Sequence, residues 1–462
     1  MTTAPQRAGG WLRGWLARPL TSFHLVLGVF ALLTGIGLVM VLSASSAEAA
    51  AEGSAFSLFQ KQLVFVLLGA VLFYVALRTP ISVVRRLSLP AVVVSIVMLV
   101  AVLVPGVGAD INGTRGWFRV GVLSFQPAEA AKIALAVWGA SVLATRRPHL
   151  TALRHLVVPL LPVTAVVGLL ILLQPDLGST VTLAIIVLAL LWFGGLPMKL
   201  VAVGSVLAAG GALVFGLLVG PRSARIESWL NPDANLDGPG YQALQARYSL
   251  ADGGWFGVGL GQSRAKWNYL PNAHNDFIFA ITGEELGFLG AGLVLALFGV
   301  LAWVGLRISA RSVDPFLVLL SATTTVWLVG QAFLNVGYVT GLLPVTGLQL
   351  PMISSGGTST ALTMAMFGLL ANAARHEPEA MAALRTGAAG RFSRRLRLPA
   401  PQPWVDRRTL RAVPAPRRVP QAGRPAAERV PASRTAPSRA TRSATARRPG
   451  GPSGPRERGT RR

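Results

Sequence analysis

Asp276 stands where a polar, partly aromatic stretch, KWNYLPNAHND, gives way to an apolar run, FIFAITGEELGFLG. A carboxylate at such a boundary is costly, so function is one explanation and capping of the following helix is the other. As a functional group it would act as a base. Glu129 and Lys132 lie three apart in FQPAEAAKIALAVW, on one face of a helix for which Pro127 suits the first turn. They can neutralise one another locally. Alternatively Lys132, about one turn below the surface, reaches Asp276 across the bundle and holds it ionised and aimed.

Three more acids need an account. Asp176, in the QPDLG turn, is most simply the N-cap of the helix that follows it. Glu284 and Glu285 fall inside the apolar run about 12 Å beyond Asp276 and require partners that the sequence does not name. Before Asp276, one long connection carries Arg222, Arg225, Arg247, Arg264 and Lys266. Some can simply be solvated, but cations gathered beside an acid suit an anionic substrate, and at membrane level the simplest is a lipid-linked phosphate or diphosphate. Tyr241, Tyr248, Trp255, Trp267 and Tyr269 are either an interfacial belt or a sugar-stacking surface. GLLPVTGLQLPMISSGGTST reads as a kinked, closely packed re-entry into a last helix, with substrate contact through Ser354, Ser355 or Thr358 as the alternative.

The elements that must position these residues are membrane spans. The 462 residues are 52% hydrophobic and 13% charged, and the apolar residues come in blocks of about twenty. We therefore expect an all-α polytopic membrane protein of about ten spans, near 24–43, 62–78, 88–105, 128–145, 154–174, 179–195, 199–219, 277–306, 315–338 and 357–374. Arg85, Arg86, Arg146, Arg147, Arg154, Lys199, Arg307 and Arg311 fall in alternate connections, which marks those connections and both termini as cytoplasmic. The segments 44–60, 106–127, 175–178, 220–275 and 339–356 are then outside. Of these, 220–275, between spans seven and eight, is the one large enough for a sizeable site, and Asp276 closes it.

The remaining sequence limits the chemistry. There are no cysteines, so disulfides, thiol nucleophiles and Cys-ligated zinc are excluded, and five scattered histidines form no metal motif. No phosphate loop suggests an ATP-driven pump. The net charge of +25 lies mostly beyond Arg385, in an Arg/Pro/Ala/Ser/Thr tail. We divide the chain into a cytoplasmic segment 1–22, a membrane domain 23–375 and a disordered tail 376–462. The tail suits anionic lipid or a partner protein, and no folded nucleic-acid module stands behind it.

The ordered set NGTRGW at 112–117, QPAEAAK at 126–132, QPDLG at 174–178, YQALQA at 241–246, GVGLGQSRAKWNYLPNAHNDFIFAITGEELGFLG at 257–290 and LPVTGLQLPMISSGGTS at 343–359 resembles the SEDS proteins of shape, elongation, division and sporulation. The opening RPLTSFHLVLGVFALLTGIGLVMVLSASS resembles the division members more than the elongation members, and the basic tail resembles actinobacterial ones. The resemblance implies a glycosyltransferase of the cell membrane, at the septum, that polymerises lipid II outside the membrane and releases undecaprenyl diphosphate. It also implies a class B penicillin-binding transpeptidase and other division proteins as partners. The family's essential acid maps onto Asp276 and its helix-four lysine onto Lys132. Two departures matter: Asn268 and Asn272 stand where many relatives carry glutamate, and Gly116 stands where an arginine commonly precedes the tryptophan, leaving Arg115.

The expected chemistry is inverting displacement without a covalent intermediate, with Asp276 as general base. Lys266, Arg264 and Arg247 are expected on the diphosphate, joined by a divalent cation (Mg or Mn) if one is used, with Arg115, Glu129 and Ser355 as further substrate contacts. The rivals are a lipid II flippase, an elongation-type polymerase and a non-catalytic scaffold.

Overall fold

Each of the ten expected spans is a helix in the computed structural model, which describes residues 14, 18–51, 56–111, 114–121, 123–146, 153–218, 220–231, 238–267, 270, 273–386 and 396–404. The ten are α1 (Thr21–Ala51), α2 (Ser57–Arg78), α3 (Ile81–Leu103), α4 (Pro127–Arg146), α5 (Leu153–Leu172), α6 (Leu177–Gly194), α7 (Met198–Leu218), α10 (Ile278–Arg311), α11 (Pro315–Val339) and α12 (Thr358–Arg375). The large connection between α7 and α10 folds too, into α8 (Gly220–Leu230) and α9 (Pro239–Asp252). One departure from an all-helical chain lies in the segment 106–127. There β1 (Ala109–Ile111), β2 (Thr114–Val120) and β3 (Leu123–Phe125) form an antiparallel sheet in that order.

Among the described residues, nine of these helices are long and apolar enough to cross a bilayer, and α12 is the exception. Its sequence, TSTALTMAMFGLLANAAR, is buried almost throughout, and a helix shielded by protein has no need of a lipid-compatible surface. It lies beside α2 in the same direction. Gly357 packs on Phe65, Ala361 on Gly69, Gly368 on Phe73, and Asn372 Nδ2 donates to Ala76 O and Thr79 O at 3.1 and 2.8 Å. A β-carbon on Gly368 would collide with Phe73 O, so small residues set how closely the pair can approach.

Helix α10 is broken at Gly287, which has φ +67° and ψ −169°. The N–H groups of Phe288 and Leu289 would ordinarily donate to the carbonyls of Glu284 and Glu285. Instead they donate to Gly254 O and Trp255 O (2.8 and 3.2 Å), while Glu284 O and Glu285 O accept from Val258 and Gly259 (2.9 and 3.1 Å). The loop after α9 is thus spliced into α10, and these four backbone groups at the break all find partners. The two acids lock it. Glu284 accepts from Ser263 Oγ (2.6 Å) and Arg264 N (2.7 Å), and Glu285 accepts from Ser43 Oγ (2.6 Å) with Lys266 Nζ at 3.5 Å.

Gly257 sits at the centre of the splice with φ +82°, and a β-carbon there would strike Glu285 O. Gly254 also has positive φ but opens onto free space. Gly257→Ala should therefore cost on the order of 3 kcal/mol through strain plus disrupted splice bonds, and Gly254→Ala about 1 kcal/mol. Thermal unfolding in detergent checks this: the first variant should melt well below the second.

Charged groups gather at the end of the bundle away from α8 and α9. Arg85 pairs with Asp314, and Arg311 lies 3.7 Å from Glu377 and 2.9 Å from Glu379. Glu379 belongs to α13 (Pro378–Arg385). Beyond it, Leu396 O accepts from the Tyr74 hydroxyl (3.0 Å) and Pro399 O from Arg375 (2.7 Å). The compact body therefore runs to Trp404, past the expected boundary at 376, because backbone carbonyls of an Arg/Pro-rich stretch find donors on α2 and α12. Residues 405–462, and most of the segment 1–22, lie outside the described residues.

Candidate active site

All five connections assigned to one side of the bundle meet at a single cavity of about 480 Å³. Its wall includes Leu58 from 44–60, Trp117 and Arg119 from β2, Asp176 from the α5–α6 turn, Arg225 from α8, and Gly347 and Ser355 from the segment before α12. Asp276, one residue before the N-cap of α10, faces into it. Convergence of segments so distant in sequence is what a built site requires.

Three carboxylates line the cavity, and their commitments separate them. Asp176 is occupied: it caps α6 through Ser179 N (2.9 Å) and also accepts from Ser179 Oγ (2.6 Å) and Gln126 Nε2 (2.8 Å). Glu129 is occupied by Lys132 at 2.8 Å. Asp276 differs. Phe277, and not Asp276, is the N-cap of α10, with no side-chain cap bond, so the capping reading of Asp276 does not hold. Its Oδ1 is buried with no hydrogen-bond partner among the described residues, although the residue keeps part of its surface on the cavity. Burial dominates its titration and pushes the carboxyl from the ordinary 3.8 up to about 6, against the lowering influence of Arg225 and then His274.

The expected ion pair between Lys132 and Asp276 is not formed. Lys132 is wholly buried, and an ammonium so placed needs its neutralising charge within reach. Glu129, three residues back on the same helix, supplies it, and the Trp327 ring lies 5.7 Å from Nζ. Local pairing has won.

The cations are also different from those expected. Lys266 is buried, with Nζ on Gly261 O at 2.6 Å and near Glu285; Arg247 donates to Ala243 O within its own helix; Arg264 is exposed. None of the three lines the cavity. Arg115 is exposed on β2, opposite Asp110 in register, and does not line it either. The lining cations are Lys61, Arg119 and Arg225, none of which forms an ion pair within 4.0 Å among the described residues. Arg225 belongs to the cluster the sequence offered; Lys61 and Arg119 had no signal beyond lying near outer connections. Arg225 and Asp276 border the same glycine, since a β-carbon at Gly347 would lie 3.5 Å from Arg225 Nη1 and 3.7 Å from Asp276 Oδ2. Ser355 lines the cavity, with its N–H on His274 O at 3.1 Å. Tyr241, Tyr248, Trp255 and Trp267 stay off it, which leaves Trp117 and Phe65 as its aromatic wall. Asn268, Tyr269 and Asn272 lie outside the described residues.

A family profile described as cell cycle protein, spanning FtsW, RodA and SpoVE, matches residues 23–379. The chain belongs to that family. Its relatives include a probable peptidoglycan glycosyltransferase FtsW of Mycobacterium tuberculosis, 54% identical over 395 residues that make up 85% of this chain and 75% of the relative. Stage V sporulation protein E of Bacillus subtilis is 37% identical over 346 residues, 75% of this chain and 94% of its own. Solved structures agree. The rod shape determining protein RodA of Thermus thermophilus superposes with a TM-score of 0.58 at 28% identity, covering 79% of this chain and 99% of that one. A chain from a peptidoglycan synthase complex, solved for its structural coordination of polymerization and crosslinking, gives 0.64 at 29% identity with the same coverage. The FtsW/RodA/SpoVE match takes in nearly the whole helical bundle and ends before the strap at 396–404.

Proposed function

We propose that the cavity is a peptidoglycan glycosyltransferase site that joins lipid II units into glycan on the outer side of the cell membrane. The observation that carries this reading is Asp276: a carboxylate with an uncommitted buried oxygen, facing a cavity that also holds three cations without ion-pair partners. Asp276 takes the proton of the acceptor hydroxyl as its oxygen bonds to the anomeric carbon of the donor. The bond from that carbon to the diphosphate breaks in the same displacement, so the configuration inverts and no glycosyl-enzyme forms. Arg225, Lys61 and Arg119 receive the charge that develops on undecaprenyl diphosphate, in place of Lys266, Arg264 and Arg247. Glu129 and Ser355 remain as further wall contacts to the saccharide.

The fit to a divalent cation is limited. Among the described residues no three His, Asp or Glu side chains gather as a metal site, so an ion would find Asp276 and the oxygens of the diphosphate itself. No step requires it. The resemblance to division members and the similarity to FtsW relatives support action at the septum with a class B penicillin-binding transpeptidase, with both termini in the cytoplasm. Purified protein in liposomes, given lipid II from the outside only, tests the proposal. Glycan polymer is the expected product; translocation of lipid II without polymer would replace the enzyme with a flippase.

A further inference from the structure

The main-chain carbonyl of Asp276 lies outside α10. The first hydrogen bonds of that helix, from the N–H groups of Ala280 and Ile281, go to Phe277 O at 2.9 and 3.3 Å. Helix α11 takes Asp276 O instead. Asn335 Nδ2 lies 3.0 Å from it and the Tyr338 hydroxyl 2.8 Å from it, and the same two groups lie 2.7 and 2.6 Å from Leu348 O. Asn335 Nδ2 is also 2.6 Å from the Tyr338 oxygen. Two amide hydrogens and one hydroxyl hydrogen thus face three acceptors, so these three can be satisfied at once, while Asn335 Oδ1 has no partner among the described residues. Both side chains are 0–1% exposed, and water cannot substitute for either.

Leu348 follows Gly347, the glycine that borders both Asp276 and Arg225. The two side chains therefore tie the main chain at Asp276 to the backbone between carboxylate and cation. They belong to one polar stripe on α11. One turn earlier, Gln331 donates to Gln349 O (2.9 Å) and accepts from Trp327 Nε1 (3.0 Å), and Trp327 is the ring beside Lys132. The pair Glu129–Lys132, which does not touch Asp276, is joined to it through this stripe.

We infer that Asn335 and Tyr338 are positioning residues that fix the aim of the Asp276 carboxylate into the cavity. The inference rests on the reading of Asp276 as general base. A displacement of about 1 Å at a reacting group can cost on the order of 10²-fold, and loss of one of the two side chains that share the carbonyls of Asp276 and Leu348 frees a movement of that size.

The test measures polymerisation of lipid II by full-length protein in liposomes, normalised to folded protein by size exclusion, for Tyr338→Phe, Asn335→Ser and Asp276→Asn. Tyr338→Phe keeps the ring that meets Phe277 edge-on and loses only the hydroxyl. For the first two variants, kcat should fall about 10- to 100-fold with KM for lipid II within about twofold. Their acid limb should also move to lower pH, because a carboxylate released from its buried setting titrates nearer its ordinary value. A purely structural role would reduce folded yield and leave the limb of the surviving enzyme in place. Wild-type kcat and an unmoved limb in both variants, with Asp276→Asn inactive, would overturn the positioning role and leave the base standing. Activity in Asp276→Asn would instead remove the base, whatever the other two show. If neither Tyr338→Phe nor Asn335→Ser folds, the pair is structural and the inference fails.

Discussion

Asp276→Asn should lower the rate of glycan formation by about 10² to 10⁴-fold while the protein remains folded, because the amide keeps the size of the side chain and cannot accept the proton. The same substitution should raise stability. In the unfolded chain the carboxyl titrates near 3.8 and in the folded protein near 6, so the native state binds the extra proton between those values. Below 3.8 both states are protonated and burial carries no charge penalty; the penalty grows through the window and is complete above 6. At pH 7.5 the wild type bears all of it and the asparagine variant none, and thermal unfolding should show the variant melting higher. For the wild type, kcat/KM should fall as pH drops through about 6, where the base takes up its proton. Wild-type turnover in the asparagine variant would dismiss Asp276 as the base.

Arg225→Ala should lower polymerisation by roughly 10² to 10³-fold, the scale on which a preorganised positive group acts at a developing oxyanion. It should also leave a mark that a mere packing defect would not. Arg225 lowers the Asp276 titration, so its removal moves the acid limb above that of the wild type. Arg264→Ala, in an exposed side chain off the cavity, should stay within about twofold of wild type. Comparable losses in the two variants would return the diphosphate to the cluster around Lys266.

The contrast between Arg225 and Arg264 also marks how far the sequence could be read. Block length located ten helices, with ends that differ by up to about eight residues, since apolar runs of that size have few other fates. Asp176 as a cap and the local Glu129–Lys132 pair were equally readable, because both depend on residues three apart. What failed was distance across the bundle. The sequence placed Lys132 and Asp276 at one depth, but depth does not say which acid a lysine meets first. The cations in 220–275 looked alike in sequence, and only the fold separates Arg225 on α8, which lines the cavity, from Arg247 on α9 and from Arg264 and Lys266 in the loop beyond it. The splice at Gly287 was hidden because the apolar run passes through it unbroken, and its glycine partners in GGWFGVGLG read as loop. Trp117 and Arg119 reach the cavity from a sheet that no alternation strong enough to notice had announced.

Helix α12 bears on how many times the described chain traverses the bundle. A census by apolarity stops at nine crossings, an odd number, and would assign the first and last residues to opposite compartments. Lying along α2 in the same direction, α12 supplies the missing traverse from the cavity to the far face. The strap at 396–404 is stitched to the rim at that far face, by Tyr74 of α2 and Arg375 of α12. The strap is therefore held at the end of α2 and α12 that lies away from the cavity, with the two helices as the rods between.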